Sequence, residues 1–263
     1  MLNFDAVIFD MDGVITKTAV VHSLAWKNMF DEYLRLREKE HGEPFREFTH
    51  AQDYLAYVDG RPRYKGVEAF LKSRGINIPF GEPNDAPRKE TVCGLGNRKN
   101  EFFNKVLEED GVGVYDSTIK LIQELLARGV KVGVATSSKN CVGILATAGL
   151  TSLFETRVDG VVSAELGLNG KPEPDIFTTA SDNLGVKYHR AIVVEDAVSG
   201  VQAGAKGNFG LIIGVAREDN AHELKSNGAD FVVEDLSEVN VDELNRLVGL
   251  KAGRKSTVAT TNP

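Results

Sequence analysis

Short, nearly continuous apolar runs at residues 6–9, 130–135, 191–194, 211–215 and 231–233 constrain this chain more than any other feature. A strand with one face in water alternates apolar and polar side chains, whereas a continuous run needs apolar cover on both faces. Helical patterns fill the gaps between runs. Residues 115–127 set Ile119, Ile122 and Leu126 on one stripe with Gly129 as a stop, and 174–184 follow a Lys-Pro start and end at Gly185. Strand–helix alternation of this kind predicts an α/β fold, a doubly wound parallel sheet.

One region breaks the alternation. From about 19 to 109 the pattern is helical, with His22, Trp26, Met29 and Tyr33 recurring at three and four residues and loop-like stretches near 42–44 and 79–87. An all-helical insert directly after the first strand predicts a cap domain at 19–109 and a catalytic core from 1–18 and 110–250. The last stretch, 251–263, is polar and patternless, and disorder is expected there.

Bulk properties exclude several roles. A net charge of −7 argues against a nucleic-acid binder, which needs a concentrated basic face. Cys93 and Cys141 stand far apart in no metal-ligand spacing, so two free thiols are expected rather than a disulfide. The N-terminal run MLNFDAVIFDMDG carries acids where a signal peptide needs a basic flank, and no stretch approaches a membrane span. A cytoplasmic protein with no membrane partner is expected.

The chemistry gathers where the runs end. In Phe9-Asp10-Met11-Asp12-Gly13-Val14, residues two apart in a strand share a side, so Asp10 and Asp12 are expected to converge before Gly13 turns the chain away. A second acidic pair, Glu195-Asp196, closes the run at 191–194. Ligand sites of open α/β sheets lie outside the carboxyl ends of the strands. Four carboxylates there repel one another unless a hard divalent cation sits among them, and oxygen ligands suit Mg2+. Thr136 offers a hydroxyl, and the backbone N–H groups from Ser137 onward suit either a phosphate or a helix cap. Lys171, in Gly170-Lys171-Pro172-Glu173-Pro174-Asp175, could pair with the first aspartate and with phosphoryl oxygens. Gly94-Leu95-Gly96-Asn97 lacks both a preceding strand and a third glycine, so it is no dinucleotide loop.

Taken in order, Asp10-Met11-Asp12, Thr136, Lys171 and Glu195-Asp196 resemble the four motifs of the haloacid dehalogenase superfamily, whose commonest cap follows the first motif. The pattern is most similar to the β-phosphoglucomutase-like subgroup, through Gly13 to Ala19, His22, Ala25-Trp26-Lys27, Asn97-Arg98-Lys99-Asn100, Ser138-Lys139-Asn140 and the Lys-Pro-x-Pro-Asp run from Lys171. The resemblance implies catalytic roles for Asp10, Asp12, Thr136 and Lys171, and a Mg2+ site at Asp10, Asp12, Glu195 and Asp196. It implies Thr18 as a hinge and His22, Trp26, Arg63, Lys99, Ser137 and Lys139 at the substrate. It further implies phosphoryl transfer through an aspartyl phosphate on a small phosphorylated sugar or metabolite, and a monomer is expected. A mutase and a phosphatase share these catalytic residues, so both stay open, and a receiver-like phospho-switch is a more distant alternative. Asp59 stands where the mutases carry a lysine, and the cap is longer around 38–49 and 79–89.

Overall fold

A computed structural model describes residues 2–259. The chain forms two units, Thr18–Val112 and the remainder, so the boundaries fall one and three residues from those expected.

The unit Thr18–Val112 carries helices α1 (Thr18–His41), α2 (Arg63–Ser73) and α3 (Val92–Asp110), with a wide-turned helical segment at His50–Val58. That segment opens on Thr49, whose hydroxyl accepts from Gln52 N at 3.3 Å, and closes with Asp59 N bonded to Tyr54 O at 2.9 Å. Trp26, Met29 and Tyr33 are buried, as their spacing predicts, and join Phe30, Phe48 and Phe70 in one apolar cluster. Ring centroids of Phe30 lie 5.1 Å from Phe48 and 4.1 Å from Phe70, within range of favourable aromatic packing. The Gly94–Gly96 stretch lies in the first turns of α3, consistent with its dismissal as a nucleotide loop.

In the other unit six parallel strands are described: β1 (Ala6–Phe9), β2 (Lys131–Ala135), β3 (Thr156–Val158), β4 (Ala191–Glu195), β5 (Leu211–Val215) and β6 (Phe231–Val233), ordered β3-β2-β1-β4-β5-β6. Helices α4 (Asp116–Ala127), α5 (Cys141–Thr147), α6 (Gly160–Glu165), α7 (Asp175–Asn183), α8 (Val198–Lys206), α9 (Ala221–Ser226) and α10 (Val241–Ala259) alternate with them. Strands β1, β4 and β5 are buried at every position, which is why their sequences do not alternate. The edge strand β3 escapes the sequence pattern. It is three residues long, and its Arg157 points to solvent and pairs with Asp159.

Two expectations need correction. Helix α4 buries Thr118, Leu121, Ile122 and Leu125, while Leu126 is 40% exposed, so its apolar stripe is rotated from the one predicted. Residues 251–259 continue α10 rather than forming a disordered tail, and 260–263 lie outside the described residues. Val241, Leu244, Leu247 and Val248 are buried, and Lys251 then pairs with Asp230 at 2.5 Å and donates to Phe209 O at 3.1 Å, which fastens the helix.

Strand register decides what meets at the carboxyl edge. Phe9 of β1 lies level with Val134 of β2 and Val194 of β4. Asp10 therefore emerges beside Ala135 and Glu195, with Thr136 and Asp196 one residue further out. Where the chain leaves and re-enters this unit, Lys17 N donates to Gly113 O at 2.8 Å and Tyr115 N to Ile15 O at 3.0 Å, tying the two crossings together.

Candidate active site

Asp10 leaves the central strand with its N–H bonded to Val194 O at 2.9 Å. Strand β1 ends at Phe9, so Asp10 and Asp12 are not paired by the pleat as expected. A tight turn carries them instead: Ile15 N donates to Met11 O at 2.9 Å and Gly13 N to Thr16 O at 2.8 Å. Gly13 has φ +86°, and a Cβ there would overlap Asp196 Oδ2 and lie 2.7 Å from its Cγ. Glycine is thus required twice over, for its backbone and for the space the carboxylate occupies.

Lys171 arrives from a loop pinned on both sides. Glu173 N donates to Gly170 O at 3.0 Å, and Asp175 Oδ2 accepts from Asn169 N at 2.9 Å. The ammonium donates to Asp10 Oδ1 at 2.5 Å and to Glu195 Oε1, and lies 5.2 Å from the Phe177 ring centroid. Glu195 Oε2 accepts from Ala197 N at 2.8 Å, and a Cβ on Gly200 would overlap this carboxylate, so Gly200 is required for Glu195 to fit. All three charged side chains are almost wholly buried: 1% exposed for Lys171, 7% for Asp10 and 0% for Glu195.

Electrostatics follow from that burial. Asp10 is held well above the usual carboxylate range, first by desolvation and then by the charges of Glu195 and Asp12, against the pull of Lys171. Lys171 is held above its ordinary value because the two carboxylates outweigh its own desolvation. Burial pushes the Cys141 thiol up as well, and both cysteines are free and buried, as expected.

Oxygens of Asp10, Glu195 and Asp196 come within 4.8 Å of one another and could hold a metal ion, and Asp12 does not belong to that group. Of the four carboxylates expected around the cation, Asp12 stands outside this group and Asp10, Glu195 and Asp196 remain in it. The remaining three fit a hard divalent cation. All donors are carboxylate oxygens, and the Gly13 gap admits Asp196.

Thr136 continues β2, its N–H bonded to Val158 O at 3.0 Å, and its hydroxyl accepts from Ser138 N at 3.1 Å. Helix α5 begins only at Cys141 with Asn140 before it, so of the two roles open to the N–H groups from Ser137 onward, the helix cap at Ser137 or Ser138 is not formed, and these groups belong to a loop. Ser137 and Lys139 are half-buried in that loop, which packs closely on Gly160.

Within the unit Thr18–Val112, Thr18 is the buried first residue of α1. His22 Nδ1 and Lys99 Nζ are 2.5 Å apart, and His22 stacks on Phe103 at 4.1 Å between centroids. Lys99 is buried, 5.3 Å from the Trp26 ring centroid and 4.5 Å from that of Phe103. Arg63 opens α2 and donates from Nη2 to Asn100 Oδ1 at 2.7 Å. Sequence motifs missed Gly200, Phe177, Asp159 and Arg217. Asp159, which caps α6 through Val161 N and Val162 N at 2.9 and 3.0 Å, carries the recognisable Asp-Gly signal of a helix start.

The sequence model of the haloacid dehalogenase-like hydrolases matches residues 4–208. The chain is 47% identical over 237 residues to "Beta-phosphoglucomutase" of Mycobacterium bovis, covering 89% of this chain and 90% of that protein. It is 30% identical to "Beta-phosphoglucomutase" of Bacillus subtilis, covering 91% and 93%. A crystal structure of β-phosphoglucomutase from Clostridium difficile superposes with a TM-score of 0.72 at 22% identity, covering 94% of this chain and 97% of that one, a likeness of fold. The receiver-like alternative falls with these findings, because the matching family model and these relatives are those of enzymes. The chain belongs to the haloacid dehalogenase-like hydrolase family, in its β-phosphoglucomutase-like subgroup, and is a phosphotransferase.

Proposed function

We propose that this enzyme is a Mg2+-dependent sugar-phosphate mutase of the β-phosphoglucomutase type, converting β-glucose 1-phosphate to glucose 6-phosphate through an aspartyl phosphate on Asp10. The observation that carries the reading is the buried Asp10–Lys171 pair beside Glu195 and Asp196 in a chain 47% identical to a β-phosphoglucomutase.

With Oδ1 held by Lys171, Asp10 presents Oδ2 as the nucleophile. Oδ2 bonds to phosphorus in line, the bond from phosphorus to the departing oxygen breaks, and Asp12 gives that oxygen its proton. In the second half Asp12 takes the proton of the attacking sugar hydroxyl, that oxygen bonds to phosphorus, and the Asp10–phosphorus bond breaks. Lys171, the Thr136 hydroxyl and the Ser137 backbone steady charge on the transferring oxygens. Mg2+, when bound at Asp10, Glu195 and Asp196, supplies the positive charge that makes ionised Asp10 tolerable beside its neighbours.

Substrate contacts fall to His22, Trp26, Arg63, Lys99 and Lys139, with Thr18 as the hinge. Water must be kept from the aspartyl phosphate, since a phosphatase is the same machinery with water admitted. That second reading draws on Asp59, which stands where the resemblance implies a lysine, and on 33% identity over 130 residues to "Trehalose-phosphate phosphatase" of Mycobacterium leprae, covering 48% of this chain and 28% of that protein. The proposal is completed by a cytoplasmic monomer whose partner is a small phosphorylated sugar, with no nucleic acid or membrane partner.

Incubation with Mg2+, β-glucose 1-phosphate and a trace of glucose 1,6-bisphosphate tests it. Glucose 6-phosphate is the expected product. Free phosphate instead would establish the phosphatase, and neither product would overturn the substrate assignment.

A further inference from the structure

The loop between β5 and α9, residues 216–220, belongs to none of the four motifs, yet it grips both turns that carry the acidic cluster. Arg217 Nε donates to Gly13 O at 3.1 Å. Asn220 Nδ2 donates to Asp196 O at 3.3 Å. Gly13 and the Asp196 carboxylate are themselves in contact, because the carboxylate fills the space a Cβ on Gly13 would need.

The Arg217 guanidinium is fixed from three further sides. Its Nη1 donates to Asp235 Oδ2 at 2.9 Å and to Glu234 O at 3.1 Å, and its centre lies 3.7 Å from the Tyr115 ring centroid. Asp235 is in turn held by Ser117 Oγ at 2.9 Å and Ser237 N at 2.9 Å. The side chain is 14% exposed, and such a planar fork holds several acceptors in one geometry where an ammonium cannot.

We propose that Arg217 and Asn220 are positioning residues that set the spacing between the Asp10–Gly13 turn and Asp196, and thereby the affinity of the acidic cluster for its divalent cation. The inference rests on the phosphotransfer reading above. Partners that orient metal-binding groups typically control metal affinity by roughly ten- to a hundredfold. Neither residue is assigned to touch substrate or phosphorus.

The test compares the full-length protein with Arg217→Met, Arg217→Lys and Asn220→Ala. Mn2+ and Mg2+ are titrated calorimetrically without substrate, and kcat and KM are measured at saturating metal. Folding of each variant is followed by circular dichroism. Metal binding is expected to weaken by roughly ten- to a hundredfold in Arg217→Met and Asn220→Ala, with partial recovery in Arg217→Lys. Excess metal restores kcat, and KM for the sugar phosphate stays unchanged. A purely structural clamp would lower the melting temperature and leave metal affinity alone, so folded variants binding metal as tightly as wild type overturn the proposal. Should Arg217→Met fail to fold, Asn220→Ala decides the matter. Wild-type protein that takes up no divalent cation would instead refute the Mg2+-dependent reading on which the inference rests.

Discussion

Replacing Lys171 by Met removes the charge at the centre of the site and keeps an unbranched side chain one atom shorter. The ammonium is 1% exposed and is the shared partner of Asp10, 7% exposed, and Glu195, 0% exposed. Removing one partner of a buried ion pair costs about 3–5 kcal/mol, because the other charge is left uncompensated. Two carboxylates lose their partner here, but Asp10 is already held high and takes up a proton, so one uncompensated charge is the relevant count. Each kcal/mol moves the melting temperature of a domain this size by about 2–4 °C, giving a fall of about 6–20 °C in metal-free protein near neutral pH. Thermal melts in chelator, followed by circular dichroism, measure this directly. The deficit should shrink in acid, as the stranded carboxylates protonate, and on addition of Mg2+. Lys171→Met combined with Glu195→Gln should recover most of it, since the amide can still accept from Ala197 N and donate towards Asp10. A Lys171→Met protein melting within about 2 °C of wild type in chelator would refute the reasoning, because buried charges that need no partner are not what this geometry describes.

The remaining expectations are narrower. Asp12→Asn should lower turnover by roughly a hundredfold to ten-thousandfold while leaving the melting temperature and metal titration near wild type, and an unimpaired variant would remove Asp12 from proton transfer. Gly13→Ala forces a side chain into a backbone at φ +86° and into the Asp196 carboxylate, so a strain of about 1–3 kcal/mol and weaker Mg2+ binding should both appear in titrations. For pH, the folded protein keeps the Asp10 proton over a window where the unfolded chain, with a carboxylate near about 3.9, has released it. That contribution is fully present below the unfolded value and is lost as pH rises through the folded one. Wild-type stability measured against Asp10→Asn in metal-free buffer should therefore decline with rising pH across that window, and a rising difference would contradict the raised Asp10. Lys99→Met should raise KM for the sugar phosphate more than it lowers kcat, and steady-state kinetics showing the reverse would place Lys99 outside substrate binding.

The sequence alone determined five of the six described strands, because β1, β2, β4, β5 and β6 fall where the apolar runs stand, and β1, β4 and β5, buried at every position, leave no alternation to misread. It also placed acids and a hydroxyl at the carboxyl ends of β1, β2 and β4, where ligand sites of open α/β sheets lie, whereas Lys171 comes from a loop between two helices. Local patterns said less about which way side chains face. Leu121 and Leu125 rather than Leu126 are buried on α4, and the three-residue β3 exists only because β2 offers it a ladder. Tertiary structure alone decided the electrostatics. Lys171 meets Asp10 across 161 residues of chain, Asp196 joins Asp10 and Glu195 in one carboxylate group, and Arg217 reaches Gly13 from 204 residues away. Burial patterns are written in neighbouring residues, whereas the partner of a buried charge is set by strand register and loop closure, which no local window contains.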